Sequence, residues 1–308
     1  MRQSFGPAGG LDALRVTEGV WPLGDYADRQ GYDPGFILSD TPLPLPGAGR
    51  WSDDLVELLP EARGQGDPTE LRYTHFSVRM SRSRGLPLYS ACNIDGAQSD
   101  RDVPRTNTWR RDPRIDPQLQ NLREGYGDER RGLFSRGHMT RREDPNWGSR
   151  DIAKQADADT FHITNVAPQR QGFNGGIWLQ LEDYVLDNTD RANLRVTVMT
   201  GPMLSDVDPL YYNRQIPVAF WKVLAFVHPD TRELTTIGYR RAQMDYLPRP
   251  SGGRFVFGDF QDSQVPVAGI AEESGLDLAA WAEFDVMAGA SAQMELRVSS
   301  VSDFYLTR

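Results

Sequence analysis

Two runs of β-branched, aromatic and polar residues, Thr74 to Met80 and Leu86 to Asn93, flank the polar stretch Ser81-Arg82-Ser83-Arg84-Gly85. Strand-like alternation on both sides of a turn-forming segment predicts an antiparallel β-hairpin. Asn93-Ile94-Asp95-Gly96 turns out of its second strand. Leu194 to Thr200, Pro217 to Val227 and Leu234 to Tyr239 predict three further strands, and Val218 to Val223 has the pattern of a central strand with one polar face. Sheet therefore dominates the second half of the chain.

Helix is predicted at Ser52 to Leu59, Trp147 to Asp159, Ile177 to Leu186 and Leu276 to Phe284. Short strands are predicted at Gly132 to His138 and at Phe161 to Val166, the latter closed by Pro168, with a last strand over Met294 to Phe304. Gly24 to Pro46 is rich in proline and glycine and disfavours regular structure. Residues 1–70 are accordingly an irregular segment expected to wrap a single domain over residues 71–308. Arg101 to Asp128 is polar and proline-containing, the pattern of an extended surface loop, and loops of that length are usually functional or disordered.

Cys92 is the only cysteine, which excludes an internal disulfide and a cysteine-based zinc site. Its apolar setting beside Ala91 favours a buried, inert thiol. No apolar run is long enough to cross a bilayer. The first residues lack a secretory core, so the expected compartment is the cytoplasm, with no membrane partner.

A net charge of −9 argues against a nucleic-acid partner, but the distribution reverses the argument locally. Between Arg101 and Arg150 stand twelve arginines and no lysine against eight acidic residues. Such a stretch either grips phosphates in a salt-sensitive manner or is a solvated arginine surface in a chain whose only lysines are Lys154 and Lys222.

Within and after this stretch lie three groups suited to one reaction. His138, in Ser135-Arg136-Gly137-His138-Met139, is a base near neutral pH, and Gly137 permits close backbone approach there. Asn174 offers an amide oxygen of the kind Mg²⁺ accepts, and Glu182 follows about two helical turns later. A divalent ion, Mg²⁺ or Mn²⁺, would stabilise charge building on a phosphodiester, while Arg136 and Arg105 could grip its oxygens. Each residue has a structural alternative: a packed histidine, a turn asparagine, a solvated glutamate. Trp178, Phe220 and Trp221 fit core positions, whereas Trp109 and Trp147 suit either base stacking or loop anchoring.

Ser135-Arg136-Gly137-His138 resembles the Asp-Arg-Gly-His motif of the DNA/RNA non-specific endonuclease family. Tyr73 to Val78, Leu86 to Tyr89, Asn93 to Gly96, Trp109 to Pro113, Thr164 to Gln169, Asn174 to Trp178, Thr200 to Pro202 and Ile216 to Lys222 match in order. The resemblance covers about residues 30 to 280. It implies an α+β, ββα-metal nuclease fold with a central antiparallel sheet flanked by helices and long loops. It also implies roles: His138 as general base, Asn174 as the direct metal ligand, Glu182 ordering the metal's water, Asn165 supporting His138, and Arg136 and Arg105 beside the phosphate. Ser135 replaces the usual aspartate, and Leu186 stands where some members carry arginine.

The expected activity is metal-dependent, sugar-non-specific endonucleolytic hydrolysis of DNA and RNA. A regulated effector of a defence or toxin type would need a regulatory or inhibitor protein or a homodimer for control, and family members are often dimers. The alternative is a catalytically impaired member that binds nucleic acid without cutting it.

Overall fold

The computed structural model describes residues 18–64, 66–121, 126, 134–170, 173, 186, 189, 193–243 and 263–297. In chain order the strands are β1 Gly19–Val20, β2 Leu71–Arg72, β3 Phe76–Ser81, β4 Leu86–Asp95, β5 Arg110–Arg111, β6 Ser135–His138 and β7 Val166–Gln169. They continue with β8 Arg195–Pro202, β9 Leu210–Tyr211, β10 Arg214–Gln215, β11 Ala219–Val227, β12 Leu234–Ala242, β13 Ser263–Val265 and β14 Leu296–Arg297. The α-helices are α1 Arg150–Thr160, α2 Val267–Ser274 and α3 Ala279–Ala282.

Eight strands form one sheet in the order β14-β13-β12-β11-β8-β4-β3-β2, antiparallel throughout. The predicted hairpin is β3–β4, turning through Gly85 at φ 61°, a conformation that glycine adopts without steric cost. β4 is buried along all ten residues, and β11 is buried from Ala219 through Ala225. The polar face expected on β11 is absent because both sides of the strand are covered, and Lys222 lies inside with 2% exposure. Trp221, Phe220, Tyr89, Phe76 and Met199 fill the core, which also takes in Tyr26, Tyr32, Leu43 and Val56 from the irregular early segment.

Local structure departs from the sequence expectation in four places. The helix predicted at Ser52 to Leu59 is a 3₁₀ turn over Gly49–Asp54, after which Leu55 bridges to Ser81. The helix at 147 begins only at Arg150, because the Ser149 hydroxyl caps it by accepting from Ile152 N–H. Residues Ile163–Asn165 form a 3₁₀ turn, and the strand starts at Val166 and includes Pro168. The helix expected at Leu276 to Phe284 shortens to α3, and α2, which ends at Gly275 with φ 72°, precedes it unpredicted. The helix expected over Ile177 to Leu186 falls, apart from Leu186 itself, outside the described residues, as does most of the strand expected at Met294 to Phe304.

Within the arginine-rich stretch Arg114 is buried, although Arg101 and Arg105 are exposed. Arg114 pairs with Asp112 through Nη2 at 2.7 Å and Nε at 3.0 Å, and its guanidinium lies 4.3 Å from the Tyr26 ring centre and 4.7 Å from that of Tyr73. The Tyr73 hydroxyl donates to Asp112 and shares a second contact with Thr164 Oγ1 at 2.6 Å. Burial alone would push the Asp112 carboxyl up, but Arg114 and these hydrogen bonds hold it down at about 2. The cluster joins the early segment, β2 and the 3₁₀ turn before β7 within one polar network.

Removing one member of a buried ion pair strands the other charge. Asp112→Ala should therefore cost about 3–5 kcal/mol of stability, read as a lower urea midpoint at unchanged slope. A loss under about 1 kcal/mol would mean that Arg114 finds solvent or another partner easily.

Candidate active site

β6 and β7 pair antiparallel, Ser135 opposite Gln169 and His138 opposite Val166, and between them the chain runs through α1. Gly137 faces a close approach: a Cβ there would stand 2.0 Å from Gln169 Oε1, and Gln169 is buried with little room to withdraw. The Ser135 hydroxyl, at the position where the family pattern has aspartate, donates to the Gln169 carbonyl at 3.0 Å. At this position the side chain closes a strand pair.

Asn165 fixes the chain just after His138. Its Oδ1 accepts from Thr140 N–H at 2.9 Å, and its Nδ2 donates to the carbonyls of Thr140 and Thr160, both at 3.0 Å. Its own carbonyl accepts from Met139 N–H at 2.8 Å. The Thr140 hydroxyl in turn meets the Ser90 hydroxyl on β4. Ser90, Thr200 and Lys222 are neighbours across β4, β8 and β11, and Lys222 Nζ donates to Thr200 Oγ1 at 2.9 Å. A polar row through the sheet thus underlies the turn that carries His138.

Side chains two apart on a strand share a face, so Arg136 and His138 project together. The His138 ring lies 5.2 Å from that of Trp109 and 5.3 Å from that of Phe161, the latter edge-on at 88°. Its Nε2 is sealed from solvent and has no hydrogen-bond partner among the described residues. Burial, then the positive charges of Arg105 and Arg142, push the imidazole down to about 3, so it is neutral at ordinary pH. Arg105 reaches the site over Phe161, 5.2 Å from the ring centre, and its Nε donates to Asn107. Arg142 is held by Asp157 at 2.9 Å and by Glu143. Arg136 lies 5.0 Å from the Trp109 ring centre and 5.7 Å from that of Tyr126, and it forms an ion pair with Glu18.

Four of the residues singled out in the sequence, His138, Arg136, Arg105 and Asn165, thus converge on one end of the β6–β7 ribbon. Asn174 and Glu182 lie outside the described residues, and among the described residues no group of three or more histidine, cysteine or acidic side chains is arranged to hold a metal. An amide and a carboxylate are the oxygen donors a hard divalent ion takes, and His138 Nε2 is unpartnered among the described residues, so the donor chemistry fits Mg²⁺. Trp109 stacks here on a histidine and an arginine. Trp147 anchors a loop, stacked on His75 at 3.4 Å and donating from Nε1 to the Asn93 carbonyl at 2.8 Å. Phe161 and Arg142 carry no sequence signal of their own; an aromatic and a cation become site residues only through the fold.

His138 and His162 are both held neutral, chiefly by burial, whereas each takes a proton near pH 6.5 in an unfolded chain. Their folded values lie below the unfolded ones, so the stability they contribute is complete above about pH 6.5 and is lost as pH falls. For His138 the expected slope approaches ~1.4 kcal/mol per pH unit below pH 6, and His162 adds to it in the same direction. His138→Gln should flatten the profile by one histidine's share in denaturant titrations from pH 7 to 4.5. An unchanged slope would mean that His138 titrates normally in the folded protein.

A family model for the DNA/RNA non-specific endonucleases matches residues 59–283. Protein y4fB of Sinorhizobium fredii is 38% identical over 274 residues, covering 85% of this chain and 40% of that protein. Human mitochondrial nuclease EXOG is 28% identical over 137 residues, covering 44% of this chain and 35% of that protein. The chain thus spans well under half the length of these curated relatives. A chain of the solved EndoG/EndoGI complex superposes with a TM-score of 0.51 at 24% identity, over 69% of this chain and 86% of that one. The α+β architecture with its central antiparallel sheet is therefore the ββα-metal nuclease fold implied by the motifs. With a match over most of its length, the chain belongs to the DNA/RNA non-specific endonuclease family.

Proposed function

We propose that this protein is a metal-dependent endonuclease that hydrolyses phosphodiester bonds in both DNA and RNA. The observation that carries this reading is His138: a buried neutral imidazole whose Nε2 has no partner among the described residues, with Arg105 and Arg142 close enough to act on its charge, Arg136 on the same strand face and Asn165 bracing the turn after it. In this reading His138 Nε2 takes the proton of the attacking water, as a general base. Asn165 sets the direction of the imidazole through the Thr140 main chain. Arg136 and Arg105 bind phosphate oxygens, a contact that discriminates neither sugar nor base and so suits a non-specific enzyme. Asn174 and Glu182 would hold Mg²⁺ or Mn²⁺, which supplies stabilisation of the charge developing on the phosphate.

The depressed basicity of His138 fits a substrate-gated base. A phosphodiester settling among Arg105, Arg136 and Arg142 would offset their charge and restore proton affinity when the reaction needs it.

Control by a partner is part of the proposal. The solved complex concerns inhibition of EndoG by EndoGI, and an inhibitor protein of this kind, or a homodimer, would restrain an intracellular effector of the defence or toxin type. The buried Cys92, the chain's only cysteine, is in keeping with a reducing, cytoplasmic compartment. Among the described residues no helix is long and apolar enough to cross a membrane.

Supercoiled plasmid and a structured RNA, incubated with the protein and Mg²⁺, Mn²⁺ or EDTA, test the reading. Both substrates should be lost only with metal, and His138→Ala should slow the loss by about 10²–10⁴-fold, the range of general-base catalysis. Equal cleavage by wild type and His138→Ala would refute the assignment of the base. Tight binding with no cleavage under any condition would favour the impaired member instead.

A further inference from the structure

Arg136, the arginine that the proposed mechanism needs for phosphate, is already engaged. Its Nη2 donates to Glu18, and the side chains of Arg136 and Glu18 retain only 12% and 8% exposure. Beyond Glu18, Gly19 and Val20 form β1, which pairs with Arg110 and Arg111 of β5 in a parallel ladder two residues long. Gly19 N–H donates to the carbonyl of Trp109 at 3.1 Å. Trp109 is the residue whose ring covers both His138 and Arg136. Strand β1 is thus tied to the main chain of the tryptophan whose ring packs against His138.

The attachment is slight. Gly19 and Val20 are exposed, Val20 to 48%, and a Cβ on Gly19 would touch nothing within 4 Å. Only from Trp21 onward is the segment firmly held: Arg110 lies 4.0 Å from the Trp21 ring centre, and that ring packs edge-on against His162 at 5.4 Å. Lifting residues 18–20 breaks the Glu18–Arg136 ion pair and the two-residue ladder with β5 and leaves the packing from Trp21 onward in place.

We infer that residues 18–20 are an autoinhibitory strap: the Glu18 carboxylate occupies the guanidinium of Arg136 in place of a substrate phosphate, and the strand behind it holds Trp109 closed over His138. The inference rests on the nuclease reading for the identity of the displacing ligand, a nucleic-acid backbone. Carboxylate and phosphodiester each carry one negative charge and both accept from the guanidinium fork, so they compete for one seat. A polyanion that meets several arginines at once displaces a single tethered carboxylate.

Anisotropy of a fluorescein-labelled 16-nucleotide DNA single strand, titrated with the full chain in EDTA, tests the strap without requiring cleavage. Glu18→Gln removes the charge and keeps the shape, and Gly19→Pro removes the N–H that Trp109 accepts. Each should tighten binding about five- to tenfold, and in the Arg136→Ala background Glu18→Gln should bring no gain, because the two residues act as one pair. Thermal melts of the same samples confirm that each variant is folded. Unchanged or weaker binding by both variants would overturn the strap. So would a gain that survives in Arg136→Ala, since that is only the loss of a repelling charge. Failure of the nuclease reading shows separately, as absence of metal-dependent cleavage by wild type, and leaves the binding result interpretable.

Discussion

The side-chain amide of Asn165 joins three pieces of chain: the exit from β6, the end of α1 and the entrance to β7. Buried completely, it has its oxygen and its nitrogen both satisfied by main chain. A fully bonded buried amide fixes geometry more than it adds stability, because any displacement leaves polar groups unpaired in a low-dielectric interior. His138 is two residues from the clamped Thr140, and Phe161, against its ring, follows the Thr160 whose carbonyl Asn165 also holds. Fold and site thus share one hinge point, and the polar row of Ser90, Thr200 and Lys222 extends that support into the sheet.

The arginines of the middle stretch were legible as a charge excess, but not as to where their charge goes. In the folded chain Arg114 faces Asp112, Arg142 faces Asp157 and Glu143, Arg150 faces Asp100, and Arg136 faces Glu18. These four charges meet carboxylates of the same chain, and Arg114 and Arg136 lie against aromatic rings as well. For the proposed nuclease function, a nucleic acid would meet cations that have to exchange partners, which puts the ordering of this stretch and the access of substrate on the same set of contacts.

Strands with local signals were readable: β3, β4, β8, β11 and β12 announce themselves through alternation and β-branched content. Their order in the sheet was not, since pairing β4 with β8 joins segments about a hundred residues apart and nothing local encodes it. β7 was misplaced by a few residues for a definable reason. Pro168 signals a strand end, yet its missing N–H is harmless where β7 pairs only with β6 among the described strands, and its carbonyl still accepts from Gln243. In the site, His138 and Asn165 were visible because a motif carries them. Trp109 was visible too, though not as a neighbour of His138, whereas Phe161 and Arg142 were not, because their relevance depends on loops folding back over β6. Asn174 and Glu182 were legible by the same kind of motif, and their positions lie outside the described residues.

Cys92 has the least to do in this molecule, and that gives it a practical use. Its thiol is buried in the sheet, and burial pushes it well above the usual thiol range, so it is shielded from reagents at neutral pH. A single cysteine placed on the surface would be the only reactive sulfur in the chain. A dye carried on the exposed Val20 could then report, one molecule at a time, whether the segment parts from β5 and for how long.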